Sequence, residues 1–453
     1  MASISSLGIG SGLDLNGLLD QLESAERQQL APIVRQQKSY QAEISAFGKL
    51  EGALSQFQEA AKMLSESSLF KGVTSEVSGS ALTAAAGPEA VPGSYRVEVE
   101  QLAQASSRAT LGVADKEAQL GSGQIAFSFG NGETLSVDIA EGESSLEDIR
   151  DAINAKNGGV QASLVNDGSS YRLALSSRET GTDAAISNVA FGGIGLTMDA
   201  SAGTEAKDAA LKVNGITITS QNNQVEGAIQ GVTLNLEEAG ADATATLNIK
   251  RDDAGIEKAI TGFVDAYNGL QSNIAKLTRF DAKSGTAGEL LGNSTLRNVE
   301  SRLRNAMGSG APGEFGSLAD IGISLKLDGS LKLDKEKLGQ VVAEQPAALK
   351  TFFAGEGNDE TDSVKGGFAG NIDKALGLIL EDDGLLDNAT SGLETRIEGL
   401  SERYARTEKS IDATISRYRS QFSQLDGMIA SMNSTTNYLT QQFDNMNAQL
   451  GRK

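Results

Sequence analysis

Apolar residues late in the chain recur at steps of four and three: Leu393, Ile397, Leu400 and Tyr404, then Ile411, Ile415, Tyr418, Phe422, Leu425, Ile429, Met432, Leu439, Phe443, Met446 and Leu450. This heptad seam predicts a helix over 393–450, about 87 Å long, with a stutter between Tyr404 and Ile415. A seam needs a partner, in this chain, in another copy or in a different protein. Two further stripes have helical spacing. One follows Pro32 and carries Tyr40, Ile44, Phe47, Leu50, Leu54, Phe57, Ala61 and Leu64; the other carries Ile256, Ile260, Phe263, Tyr267, Leu270, Ile274 and Leu277. Both are expected to form an intrachain coiled coil with Leu393, Ile397, Leu400 and Ile411.

From about 73 to 250 the period falls to two, the signature of strands. Tyr95, Val97 and Val99 alternate with charged residues. Ile125, Phe127 and Phe129 lead through Asn131-Gly132 into Leu135, Val137 and Ile139, a hairpin signal. The 144–147 stretch reads as a capping box for a helix with Leu146, Ile149 and Ile153. Two more strands, 160–164 and 171–175, complete a ββαββ module. A Gly/Ala/Ser-rich passage at 192–203 separates it from a second strand set, in which Leu211 and Val213 turn at Asn214-Gly215 into Ile216 and Ile218, before strands at 232–236 and 245–249. The strand at Tyr95 lacks a nearby partner and is expected to complete this second sheet, which makes the module an insertion.

After 277 come a helix with Leu296, Val299 and Leu303 and a hairpin turning at Asp328-Gly329. A helix capped by Asp334 and another segment at 368–380 follow. The predicted fold class is multidomain α+β: N- and C-terminal helices form a coiled-coil or helical-bundle leg, and two mainly antiparallel β head domains are inserted between them. The expected parts are a flexible leader at 1–35, a helical leg part at 36–75, a β head at 76–109 resumed at 201–250, and the inserted module at 110–200. A helical leg domain with a β-hairpin at 251–419 and an assembly helix at 420–453 complete the chain.

Composition removes most chemistry. The 453 residues include no Cys and no His, which excludes disulfides, thiolate metal sites and the commonest general base. Asp252-Asp253 and Asp382-Asp383 are adjacent in sequence and read as helix starts or loops. Gly8, Gly10 and Gly12 lack the preceding strand and the following Lys-Ser/Thr of a nucleotide loop. The acidic stretch 355–367 lacks the ligand spacing of a Ca²⁺ loop. No enzyme activity, cofactor or metal is expected. A net charge of -21 opposes nucleic acid and anionic lipid. No run reaches the roughly 18 apolar residues of a membrane span, so no membrane insertion is expected. With aromatics at 5% and no Trp, the core is expected to rely on small residues. Residues 1–26 contain no Lys or Arg, unlike a Sec signal, which points to a cytoplasmic protein or to export that reads an unfolded N-terminus.

Charge changes abruptly near Ser420. The outer faces carry many charges up to Arg419, whereas 420–451 holds only Asp426 and Asp444 among Ser, Thr, Asn and Gln. Without i,i+4 pairs and with low helix propensity, this end is expected to be poorly ordered in the free chain and helical where protein surrounds it. The leader has the same character, with only Asp14 and Asp20 charged before Glu23. The expected assembly contacts are therefore Leu7, Ile9, Leu13, Leu15, Leu18 and Leu22, with Phe422, Leu425, Ile429, Met432, Leu439, Phe443, Met446 and Leu450. The 393–419 part should pair with 40–64 and 256–277, and the 420–450 part with the leader and with other proteins.

The opening SLGIGSGLDLNGLLDQL, the terminal NSTTNYLTQQFDNMNAQL and the internal PGSYRVEVEQLAQA (92–105) and TGFVDAYNGL (261–270) resemble the flagellar filament-cap family, also called flagellar hook-associated protein 2. The resemblance implies a structural protein exported unfolded through the flagellar type III channel. It would form a homo-oligomeric ring, a pentamer or hexamer, at the distal end of the bacterial filament. There it would retain flagellin and promote its folding and polymerisation, which filament elongation and motility require. Implied partners are flagellin, hook-filament junction proteins and a flagellar export chaperone on the C-terminal helix, with a host surface or mucin for caps that act as adhesins. The rival readings are another axial protein, such as a junction component, and a tip adhesin.

Overall fold

Residues 8–9, 11–311, 313–356, 366–449 and 451 are described by the computed structural model. They divide into a helical unit, Met1–Glu66 with Glu257–Lys453, and a β unit, Ser67–Ile256. Helix begins well inside the expected leader: α1 (Leu15–Arg27) runs through a single 3-10 turn into α2 (Ala31–Ser65). Pro32 falls in the first turn of α2, where its missing N–H leaves no hydrogen bond unmade. The leucine spacing of 15–22 is therefore enough for a helix once one face finds cover, and the stretch expected as a leader is helical from Leu15 onward. Along α2, Phe47, Leu50, Leu54, Phe57, Ala61 and Leu64 are buried on one side.

The β unit contains β1 (Val73–Ser78), β2 (Leu82–Ala86), β3 (Gly93–Gln101), β4 (Ser107–Thr110), β5 (Gly123–Phe129), β6 (Thr134–Ile139), α3 (Leu146–Ala155), β7 (Val160–Asn166), β8 (Tyr171–Ser177), β9 (Ile186–Gly192), β10 (Met198–Thr204), β11 (Ala209–Val213), β12 (Ile216–Ser220), β13 (Gln224–Ile229), β14 (Val232–Leu236) and β15 (Thr244–Arg251). One sheet has the order β1-β15-β3-β11-β12 and its companion the order β13-β14-β2. They enclose a core of Val97, Val99, Leu211, Leu234 and Leu247 with many small neighbours. As expected of the strand at Tyr95, β3 pairs antiparallel with both β15 and β11, across a chain gap that the module fills. Residues Asn214 and Gly215, with φ of 48° and 85°, make the β11–β12 turn, a geometry that Asn and Gly tolerate best.

The module differs from a plain ββαββ unit. Its hairpin β5–β6 is joined by β9 in one sheet, while β7 and β8 belong to another with the order β10-β4-β8-β7. Strands β9 and β10 escape sequence reading because their Gly, Ala, Ser and Asn residues carry little alternation; neighbouring strands supply their hydrogen bonds. β13, interrupted by a bulge between Glu226 and Ile229, escapes for a related reason. Ser107 of β4 pairs with Thr204 of β10, so the strand pairing that closes the module reaches residues the sequence reading divides from it. Both sheets and α3 share a core around Ile125, Phe127, Ile149, Ile153, Leu173 and Leu175. The capping box lies one residue later than predicted: Ser145 accepts from the Asp148 N–H, and Asp148 accepts from Ser145. Ser144 instead is buried and donates to Gln119 at 2.8 Å.

Helix resumes at α4 (Asp253–Thr278), whose Gly255 N–H bonds the Asp252 carboxylate at 2.9 Å, so this acidic pair marks a helix start. Next come the two-residue pair β16 (Phe280–Asp281) and β17 (Thr286–Ala287), α5 (Ser294–Met307), the hairpin β18 (Ile323–Leu325) and β19 (Leu331–Leu333), then α6 (Lys335–Glu344), α7 (Pro346–Ala354), α8 (Phe368–Leu380) and α9 (Leu385–Gln449). Asp334 caps α6 through the Lys337 N–H, as predicted. Several of the chain's aromatics converge here, contrary to the expectation of a small-residue core throughout. Phe57 lies 5.1 Å from Phe263 and 5.5 Å from Tyr267, and Phe368 lies 6.2 Å from Phe263 and 5.2 Å from Phe352, centroid to centroid. Each buried ring contributes about 2 kcal/mol or more, so a low aromatic percentage still yields a strong core when the rings are pooled.

Candidate assembly face

α9 is a single 65-residue helix, about 98 Å long, that starts eight residues before the predicted seam. Its part up to Phe422 is covered on one side within the chain. Leu393 and Leu400 are buried and Ile397 half-buried, and α9 packs on α2, α1, α8 and α5. Of the remaining residues expected in the intrachain coil, Phe47, Leu54, Ile260, Phe263, Tyr267, Leu270 and Ile411 are buried, while Ile44 is half-buried.

The register between the N-terminal helices and α9 is antiparallel and can be followed contact by contact. Arg396 lies over the Tyr40 ring at 5.9 Å, and Gln37 Nε2 donates to Ser401 Oγ at 2.9 Å. Arg27 reaches Glu408 at 3.5 Å and Asp412 at 3.8 Å while holding Glu23 at 2.8 Å; these carboxylates raise its pKa, the Glu23 hydrogen bond most. Beneath them Leu19, Leu30, Ile411 and Ile415 are buried together, with Leu22, Tyr404, Tyr418 and Phe422 packed around them. Asp14 caps α1 by accepting from the Gly17 N–H, and Leu15 is buried. The last step is Ser11, whose N–H donates to Asp426 Oδ1 at 2.7 Å.

This register corrects the predicted partner assignment. α1 covers the stretch from Tyr404 to Phe422, mostly upstream of the assigned one, and the leader meets the assigned stretch at Phe422 and Asp426, because α1 and α2 run on almost without a break and so fix where α1 can lie. Leu425 is exposed just before Asp426, and beyond it the helix continues to Gln449 with Met428, Met432, Tyr438, Leu439, Phe443 and Met446 exposed and Ile429 half-buried. In the structure the 420–449 stretch is helical without surrounding protein. Ile9, Leu13 and Leu18 are also exposed, at 78%, 52% and 45%. Leu7 and Leu450 lie outside the described residues, as does most of the 355–367 stretch. Sequence reading missed Ser11, Arg27, Met428 and Tyr438. Arg27 had a visible signal in Glu23 four residues earlier, whereas the other three follow only from the register.

Elsewhere the helical unit has a cavity of about 540 Å³ walled by Tyr267, Leu303, Met307, Ile323, Leu331 and Phe368. Burial raises the Tyr267 phenol pKa. Among the described residues no group of three or more Asp or Glu is placed to hold a metal ion.

Three comparisons bear on what such a face serves. Residues 11–106 match the family model described as Flagellar hook-associated protein 2 N-terminus, and residues 206–434 match its C-terminus. Residues 124–179, from β5 to β8 and beyond, match the Flagellin hook IN motif. The chain is 33% identical over 493 residues to Flagellar hook-associated protein 2 of Xenorhabdus nematophila, covering 97% of this chain and 99% of that one. It is 35% identical to the protein of that name from Escherichia coli, covering 98% and 99%. The crystal structure of the D1-D2-D3 domains of the flagellar cap protein FliD from Escherichia coli resembles it with a TM-score of 0.65 and 30% identity, covering 77% of this chain and 99% of that one.

Proposed function

The chain belongs to the flagellar hook-associated protein 2 family, and on that premise we propose that it is the structural cap at the distal tip of the bacterial flagellar filament. As an oligomer it retains exported flagellin and promotes its folding and polymerisation. One observation carries the reading: the apolar face of α9 from 425 to 446, bare of cover and nearly bare of charge. Each large side chain on it gains roughly 1–2 kcal/mol when protein replaces water, so the face favours docking into a helical surround. The work is done by shape and repeated contacts, without a catalytic centre.

The face has successive occupants in this reading. An export chaperone covers it inside the cell; neighbouring copies, flagellin and hook-filament junction proteins meet it outside. Export through the type III channel as an unfolded chain is consistent with a sequence that has no Cys and so forms no disulfide on the way. No described helix is long and apolar enough to cross a membrane. The β unit is the part available to a host surface or mucin. Native mass measurement of the purified protein distinguishes a pentamer from a hexamer.

A strain lacking the protein should release flagellin into the medium and make no filaments; filaments of normal length in that strain would overturn the proposal. Electron microscopy of labelled protein should place it at the tip, and label along the shaft or at the hook would favour another axial role.

A further inference from the structure

The bare face of α9 is rich in one residue type. Of the chain's 7 methionines, Met428, Met432 and Met446 lie there with 63%, 63% and 48% of their surface open. Met432 and Met446 stand two heptads apart and therefore in one row, and Met428 lies one turn below Met432. The chain has no Cys, so no thiol intercepts an oxidant first. The thioethers are then its most readily oxidised side chains, and their reactivity follows exposure.

We propose that Met428, Met432 and Met446 form a set of oxidation sites whose conversion to sulfoxide by hydrogen peroxide disables docking of this face; the proposal rests on the capping reading above. A lone pair on sulfur attacks one peroxide oxygen, the O–O bond breaks and an S–O bond forms. The other oxygen leaves as water after taking up the proton. Sulfur loses two electrons and the peroxide gains them. The product places a strong, strongly hydrated hydrogen-bond acceptor in a row whose docking buries apolar surface, and its desolvation opposes that docking. Once docked, the same sulfurs are shielded, so the free protein is the vulnerable form.

The test uses the full purified chain, treated with hydrogen peroxide and mapped by peptide mass spectrometry, then added to cells that export flagellin but lack their own cap protein. Treated protein should gain about 16 Da at each of the three positions and support filament growth at least about tenfold less well than untreated protein. Its far-UV circular dichroism should be unchanged, because the sulfoxides face solvent. The variant with Met428→Leu, Met432→Leu and Met446→Leu keeps the row apolar and should resist the treatment. Met63, 53% exposed on α2, is the control: Met63→Leu protein should remain as sensitive as the wild type. The single variant Met432→Leu, with partial resistance expected, serves as a second variant should the triple one cap poorly. Full capping by protein carrying all three sulfoxides overturns the inference, as does equal loss in resistant variants or unfolding on treatment. Untreated protein that fails to cap overturns the capping reading itself.

Discussion

At the scale of single residues, cover and charge decide local order. Leu19 is almost fully buried against Leu30, Ile411 and Ile415, and it anchors α1 through a contact that spans most of the chain. Leu19→Ala should cost about 2–4 kcal/mol locally and free α1, seen as rapid hydrogen exchange over 15–27 with α2 unaffected. In the β unit, Arg172 bonds Asp167 at 2.8 Å and Asp199 at 2.7 Å, tying β8 and its turn to β10. Asp199 is held down to about 2, by the Ser201 hydroxyl first and Arg172 next. Asp167 is also held well below the usual carboxylate range, by Arg172 first. Because both values are lowered on folding, their contribution is complete above the unfolded value near 4 and is lost as pH falls through about 2. The melting temperature of the β unit should therefore fall between pH 4 and pH 2, and Arg172→Leu should flatten part of that fall; an identical pH profile in the variant would refute the linkage.

At the scale of elements, α9 shows that one sequence pattern can serve two ends. The same four-three spacing is buried by α2 and α1 up to Phe422 and left open beyond Asp426. Periodicity predicts the helix; it does not say which turns are covered. Gly427 sits at this change, and a Cβ added there meets nothing within 4 Å. Gly427→Ala should thus strengthen the helix by about 0.5–1 kcal/mol, measurable as a higher helical signal at intermediate temperature. The β elements teach the converse. β9 and β10 are weak by pattern and are strands because β5 and β4 present open edges to them, so their identity depends on neighbours more than on their own residues.

For the whole molecule, the division into two units makes folding and assembly separable. β1 pairs with β15 from Val73↔Arg251 to Ser78↔Thr246, so the β unit brings its own ends together. Residues 67–256 expressed alone should fold cooperatively with the strand signature of the parent; a disordered product would show that they need the helical unit. Ending the chain after Asp426 should leave both units folded, since Phe422 and the Ser11 contact are kept, while filament growth is abolished. Growth supported by that shortened chain would show that the bare face is not the assembly surface.

The sequence by itself determined the class of every long helix, the turns at Asn131-Gly132, Asn214-Gly215 and Asp328-Gly329, the cap at Asp334 and the seam of α9, because these depend on spacing and local backbone preference. It also carried enough of its family's signatures to identify the cap family. Only the tertiary structure decided how far α1 covers α9, that Phe57, Phe263, Tyr267, Phe352 and Phe368 meet in one core, and that Gly- and Ala-rich stretches are strands. Those outcomes depend on contacts between residues hundreds of positions apart, whose energy no local pattern records. The 425–446 face was visible from the start as unusual in charge; that it stands open was settled by the antiparallel register that ends at Ser11 and Asp426.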